Sequence, residues 1–177
     1  RSTLYWSNLL DGKTMNSGDA GNLDLTNAWP KGQDSIIGLA AAFNRLFIFG
    51  RKSILMYALT TTNNPAAMTL EDVVENLGCV ARDSVYGTDT GVYFLSDNGI
   101  YRFDKLQFTT SLLAAPQVSV LYNSLVLDQI AAETATNIRA GYYPKEGYYV
   151  LSFPTSNVTF CVHTRKNVPE VNRPIGT

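Results

Sequence analysis

The stretch Asn44-Arg45-Leu46-Phe47-Ile48-Phe49-Gly50-Arg51-Lys52-Ser53-Ile54-Leu55-Met56-Tyr57 decides the fold. Two apolar runs flank a short polar turn at Gly50-Arg51-Lys52, and a second turn at Asn44-Arg45 leads into the first run. Asn and Gly accept the positive φ that tight reversals need, so the pattern reads as a β-hairpin. Leu46 to Phe49 contains no polar residue. A strand with one wet face alternates apolar and polar side chains, so this continuous run predicts a strand covered on both faces.

The unit recurs. Asp89-Thr90-Gly91 leads into Val92-Tyr93-Phe94-Leu95, Ser96-Asp97-Asn98-Gly99 reverses the chain, and Ile100-Tyr101-Arg102-Phe103 returns. Pro144-Lys145-Glu146-Gly147 leads into Tyr148-Tyr149-Val150-Leu151, with Pro154-Thr155-Ser156-Asn157 as the turn and Val158 to Val162 as the return strand. Near the start, Leu4-Tyr5-Trp6 faces a long polar loop and a partner at Asn22-Leu23-Asp24-Leu25. The four leading strands begin 42, 46 and 56 residues apart. A spacing of roughly 40–50 residues is that of propeller blades, in which each sheet is sandwiched between two others. The chain therefore reads as all-β and β-propeller-like, a single domain over residues 1–177 built of repeated hairpin blades. A closed propeller needs about four to eight blades of four strands, more than these residues supply. The expectation is a partial propeller, an excerpt or processed product of a longer chain.

Two segments break the rhythm. An irregular insertion is expected over 111–136, with a helix over 119–133, where Val118, Leu121, Leu125, Ile130 and Ala131 partly fit a helical stripe. The alternative there is an extended linker with a strand at Ser124 to Leu127. A second short helix is expected over Thr69 to Asn76, with Thr69 as N-cap and Glu71 and Asp72 in the first turn, where the helix dipole favours them.

Apolar residues make up 45% of the chain and charged residues 16%, against roughly 25% charged in ordinary soluble domains. Such a charge-poor exterior suits a protein buried against other subunits, and equally a neutral β domain with polar turns. The net charge of −1 provides no basic field to attract nucleic acid. The pairs Arg51-Lys52 and Arg165-Lys166 read as solvated turns. The most apolar stretch, Ile36 to Phe49, is interrupted by Asn44 and Arg45 and falls short of the roughly 20 residues of a membrane span.

No catalytic constellation emerges. His163 is the only histidine, and neither a Gly-x-Ser-x-Gly elbow nor a nucleophile motif at Cys79 or Cys161 accompanies it. One His and two distant Cys do not make a zinc site. Cys79 and Cys161 form a disulfide if their strands adjoin; buried free thiols are the commoner outcome. Glu71, Asp72 and Glu75 have the spacing of a wetted helix face, and Asp83 and Asp89 read as turn residues, not as paired acids for glycoside hydrolysis. Ser96 to Phe103 superficially resembles the Asp-box of sialidase propellers, with Asn98 where that motif has Asp. Asn157-Val158-Thr159 matches a glycosylation acceptor, a tripeptide too common to carry weight. Tyr142, Tyr143, Tyr148 and Tyr149, with Tyr5 and Trp6, make a candidate sugar- or base-stacking surface. Successive strand residues point to opposite faces, so at least half of these tyrosines should pack between sheets. Arg82, Asp83 and Tyr86 are the sparse material for a ligand cup. The expectation is a non-enzyme without cofactor or metal.

In order along the chain, several segments resemble a pattern in structural proteins of tailed-bacteriophage virions. These are Leu4-Tyr5-Trp6-Ser7-Asn8, a loop ending at Trp29, Asp34-Ser35-Ile36-Ile37-Gly38-Leu39, the hairpin from Leu46 to Leu55, Gly78-Cys79-Val80-Ala81-Arg82-Asp83-Ser84-Val85, and Val92 to Phe103. Ala140 to Val162 looks like their Tyr-rich closing blade, and the likeness covers most of residues 3–163. It resembles the β-propeller of a short-tailed phage's tail nozzle or tail-tube protein, or the related head-stabilising plug. The resemblance implies a structural component of the virion tail, assembled in the host cytoplasm as a homo-oligomeric and usually hexameric ring. Its partners would be other tail, adaptor and portal proteins around a channel through which DNA passes without specific binding. The rival reading is a propeller that binds or processes carbohydrate as a receptor-binding domain.

Overall fold

The structure is a computed structural model that describes residues 2–9, 11–32, 34–58, 65–104 and 115–165, the side chain of Lys31 excepted. The chain divides into two compact units, Arg1–Leu77 and Gly78–Thr177. Among the described residues it is mostly β, with twelve strands in four antiparallel sheets and one short α-helix.

In the first unit, β1 (Thr3–Trp6) pairs with β2 (Gly21–Asp24), and β3 (Gly38–Ala42), β4 (Arg45–Phe49), β5 (Ser53–Ala58) and β6 (Thr69–Glu75) form a four-stranded meander in chain order. The second unit holds two three-stranded meanders. One comprises β7 (Tyr86–Gly87), β8 (Gly91–Ser96) and β9 (Gly99–Asp104); the other comprises β10 (Arg139–Tyr143), β11 (Tyr148–Phe153) and β12 (Val158–His163). Between them a 3-10 turn at Val120–Tyr122 runs into α1 (Asn123–Ala132). All four hairpins read from the sequence are present, as β1/β2, β4/β5, β8/β9 and β11/β12.

The turn residues behave as their chemistry requires. Phe43 and Asn44 take φ of 53° and 60° in the two-residue loop before β4, and Asn157 takes 52° before β12. Gly99, at φ 132°, closes the Asp97-Asn98 turn; a Cβ there would lie 2.2 Å from Asn123 Oδ1 and 2.5 Å from Ser119 Oγ.

The expected two-sided burial is observed. Phe47, Ile48 and Phe49 in β4, and Val92, Tyr93, Phe94 and Leu95 in β8, have no exposed surface. Ile48 packs with Leu4, Leu25, Trp29, Leu55 and Tyr57 in the first core, while Phe47 and Phe49 alternate to the other face with rings 6.5 Å apart. In the second unit the two meanders face one another through matching aromatic rows. Register aligns Tyr86 with Tyr93 and Tyr142 with Tyr149. Tyr93 stacks on Tyr149 at 5.1 Å, and Tyr86 tilts against Tyr142 at 6.3 Å. Tyr149 donates its hydroxyl to the Ser84 carbonyl at 2.7 Å; burial pushes its phenol well above the usual range, so it stays a donor. Val126 of α1 is fully buried in this core, and Tyr122 stacks on Phe160 at 5.9 Å.

One expectation is overturned. Thr69 to Asn76 is not a helix: Thr69–Glu75 is the edge strand β6, paired antiparallel with β5 across a register shift at Met56/Tyr57. The β-branched pair Val73-Val74 and the waiting edge of β5 outweigh the cap-like Thr69 and early acidic residues, as tertiary pairing commonly does. The helix expected over 119–133 is present as 123–132 behind its 3-10 turn, which rules out a strand at Ser124 to Leu127. Residues 111–114 of the expected insertion lie outside the described residues.

In an antiparallel meander the chain enters the first strand at the end where the second strand turns into the third. Each meander uses that proximity. Asp34, ahead of β3, accepts from the Arg51 amide (2.7 Å), the Lys52 amide (2.9 Å) and the Ser53 hydroxyl (2.7 Å), as well as from Ser35 N–H (2.7 Å). Glu133, ahead of β10, accepts from the amide and hydroxyl of Thr155 at 2.7 and 2.6 Å. Ser84, ahead of β7, accepts from the Leu95 amide at 3.1 Å. Desolvation pushes the Asp34 carboxyl up, but the Lys52, Ser53, Arg51 and Ser35 donors together hold it below the usual carboxylate range. For Glu133 the Thr155 hydroxyl is the main cause of the same direction.

Two outcomes follow in urea unfolding. Asp34→Asn turns one acceptor into a donor facing the Lys52 amide or the Ser53 hydroxyl, and should cost about 1.5–3 kcal/mol. A carboxyl held low when folded contributes stability that is complete above its unfolded value, near pH 4, and is lost as pH falls through its folded value. The wild type should therefore lose stability below about pH 4, and Asp34→Asn should lose less over that range. Tyr149→Phe leaves the buried Ser84 carbonyl without its donor and should cost about 1–3 kcal/mol, with no change in the slope of the transition.

Candidate functional site

At the turn end of the first unit's meander lies a hollow of about 650 Å3. Three chain segments line it: Pro30, Asp34 and Ser35 before β3, Arg51 and Lys52 in the β4–β5 turn with Ser53, and Glu75 and Asn76 at the end of β6. The turn is fixed by Asp34, whose Oδ2 would lie 2.5 Å from a Cβ on Gly50. Register sets Ser53 opposite Glu75, which brings the end of β6 to the hollow, and Asn76 leaves the strand with φ 59°.

Among the described residues, five arginines form ion pairs with carboxylates. Arg45 meets Glu71 at 2.7 Å, Arg102 meets Asp104 at 2.8 Å, Arg139 and Arg82 meet Asp83 at 3.1 and 3.7 Å, and Arg165 meets Asp89 at 3.1 Å. Arg51, Lys52 and Glu75 have no ion-pair partner among the described residues, although they share one hollow. Asp34 is saturated by four donors. The hollow thus presents donors on Arg51 and Lys52 beside acceptors on Glu75 and Asn76, an arrangement suited to binding a polar ligand.

A second polar cluster lies in the other unit. Asp89 accepts from the Tyr142 hydroxyl and from Arg165, whose Nη2 also donates to the Pro144 carbonyl at 2.8 Å. The Tyr142 hydrogen bond, then the Arg165 guanidinium, holds the Asp89 carboxyl low. This cluster ties the β7–β8 turn to the β10–β11 turn and to the end of β12.

The residues singled out in the sequence scatter. Glu71 pairs with Arg45, Asp72 accepts from the Val73 amide, and Glu75 alone lines the hollow; these three lie on a strand, not on a helix face. Arg82 and Asp83 pair with each other and with Arg139, while Tyr86 turns to Tyr142. Tyr149 is buried, Tyr143 is half exposed, and Tyr148 packs edge-on against His163 at 5.0 Å, so the tyrosines divide between faces as expected. His163 accepts through Nδ1 from the Arg165 amide at 3.2 Å. Tyr5 is exposed, and Trp6 donates its indole N–H to the Asp19 carbonyl at 2.8 Å. Asn157 is exposed in its turn. Cys79 and Cys161 are both free. Among the described residues no group of three or more His, Cys, Asp or Glu could hold a metal ion, and no helix is long and apolar enough to cross a membrane. Pro30 and Asn76 were invisible as site residues, because only the folded meander brings them beside Arg51.

The thiols give a direct check. Burial raises Cys79, despite its Ser84 and Ala81 hydrogen bonds, and also raises the less buried Cys161. A colorimetric disulfide reagent at pH 8 should modify Cys161 slowly in the native protein and Cys79 only on unfolding; equal rates would contradict this packing. Comparison of the chain with protein-family models and with curated proteins finds no match.

Proposed function

We propose that this chain is a structural subunit of a short-tailed phage tail, of the nozzle, tail-tube or head-stabilising plug type. In this reading its blade-like sheets are a rigid scaffold within a homo-oligomeric ring around the DNA exit channel. The observation that carries the reading is the repetition of one unit: three meanders, in each of which a polar side chain from ahead of the first strand bonds the end of the second strand (Leu95) or the turn that follows it (Lys52, Thr155). Central strands with consecutive buried residues, β4 and β8, suit blades stacked against one another, while β11 alternates buried and half-buried positions. Two further features support it. The chain is poor in charge, and a neutral or weakly acidic wall lets a duplex slide without adhering. In addition, Val120, Leu121 and Leu125 around the start of α1 are 66%, 79% and 52% exposed, a cost in water that a neighbouring subunit would remove.

The test is the assembly state of the full-length product. Electron microscopy and light scattering should find a symmetric ring, and a monodisperse monomer at micromolar concentration would refute the reading. Leu121→Glu with Leu125→Glu should shift the ring toward smaller species while leaving the far-ultraviolet circular dichroism unchanged, because both side chains are already in water in the isolated fold.

A further inference from the structure

We propose that the hollow at the β4–β5 turn is a binding site for a neutral saccharide. This goes beyond the scaffold role and does not depend on it. Four observations select the ligand class. Among the described residues the hollow carries two cationic side chains, Arg51 and Lys52, and two carboxylates, Asp34 and Glu75, whose formal charges cancel and set up no net field that favours an anion. The Arg51 and Lys52 amides, the donors an oxyanion would need, are already given to Asp34, and that carboxylate would repel a second one. Among the described residues Pro30 is the only apolar one lining it, so a lipid or aromatic ligand would find little surface to bury. What remains are free donors on Arg51 and Lys52 beside free acceptors on Glu75 and Asn76.

Those groups fail to pair among themselves while sharing about 650 Å3, and a ligand that both donates and accepts at adjacent positions would satisfy them together. Vicinal hydroxyls do this: each can give a hydrogen bond to Glu75 or Asn76 and take one from Arg51 or Lys52. Hydrogen bonds to charged groups are the stronger kind. The volume lies within the range of small-molecule sites, roughly 300–1,000 Å3, and admits one or two sugar rings. Pro30 offers a small apolar patch for the C–H face of a ring. Asp34 would not touch the sugar; it is a positioning residue that holds the turn bearing Arg51 and Lys52.

The experiment is a titration of the isotope-labelled chain, followed by amide chemical shifts, with glucose, galactose, mannose, N-acetylglucosamine and maltose separately, and with inorganic phosphate alone. The expected result is saturable shifts at Arg51, Lys52, Glu75 and Asn76 for at least one sugar, with Kd in about the millimolar range. Glu75→Gln and Arg51→Met should each weaken that sugar by about tenfold or more. Both side chains are exposed and unpaired among the described residues, so both variants should keep the wild-type thermal midpoint. Glu146→Gln, in the exposed β10–β11 turn, should titrate like the wild type. Absence of shifts with every sugar would overturn the proposal, as would shifts confined to residues away from the hollow. So would phosphate binding at these amides that is lost in Arg51→Met and kept in Glu75→Gln, since that pattern describes an anion site.

Discussion

Strands β4 and β8 place consecutive large side chains out of water on both faces at once, and that constraint organises the rest of the chain. A one-faced strand can leave its polar needs to solvent across the other face. When Phe47, Ile48 and Phe49, or the run from Val92 to Leu95, have no exposed surface, water reaches the backbone only at the strand ends. Burying each such side chain is favourable by about 1.5–3 kcal/mol. An unsatisfied amide at the adjoining turn costs a comparable amount. The turns therefore need acceptors of their own, and they have them.

The supply of those acceptors follows from topology and not from residue type. Asp34 and Glu133 are carboxylates and Ser84 a hydroxyl, and they stand at unequal distances ahead of their first strands. Each nonetheless serves the end of its meander where the second strand gives way to the third. This recurrence is a stronger sign of a repeated unit than the strand spacing, which drifts from 42 to 56 residues because α1 and its flanks are inserted before the last meander. Insertions alter spacing without altering which end of a meander its leading segment occupies. The β8–β9 turn has a further clamp from that insertion: Ser119 Oγ accepts from the Ile100 amide at 3.0 Å, and Gln117 donates to the Asn98 carbonyl at 2.7 Å.

What was legible in the sequence was whatever local chemistry decides. Three of the four hairpins could be read because their turns carry residues tolerant of positive φ and their strands include apolar runs, whereas the first rested on Leu4-Tyr5-Trp6 and a partner beyond a long polar loop. The leading strands β3, β7 and β10 could not, since Gly38-Leu39-Ala40-Ala41-Ala42 lacks β-branched residues, Tyr86-Gly87 is too short, and Arg139-Ala140-Gly141 carries no pattern. Each exists because β4, β8 or β11 offers an edge. The same cause made Thr69 to Asn76 misleading, where a good local cap signal lost to pairing with β5. The candidate hollow was legible only in pieces. Arg51-Lys52 could be read as an exposed turn and Glu75 as a surface acid, but their meeting depends on the register that sets Ser53 opposite Glu75.

Charge in this chain is scarce, and among the described residues five arginines are paired with four carboxylates. Pairing of that kind at an exposed surface adds little stability, but it removes long-range field. A surface so quenched does not draw a partner from a distance by charge; it recognises what has already come near, by shape and hydrogen bonding. Two features then stand out against the neutral background. The apolar start of α1 leaves Val120, Leu121 and Leu125 in water, at a cost. The hollow beside Arg51 is the opposite case, comfortable in water and improved only by a ligand whose groups both give and take hydrogen bonds. In the proposed readings the first serves assembly and the second exchangeable binding, and they lie in different compact units of the chain.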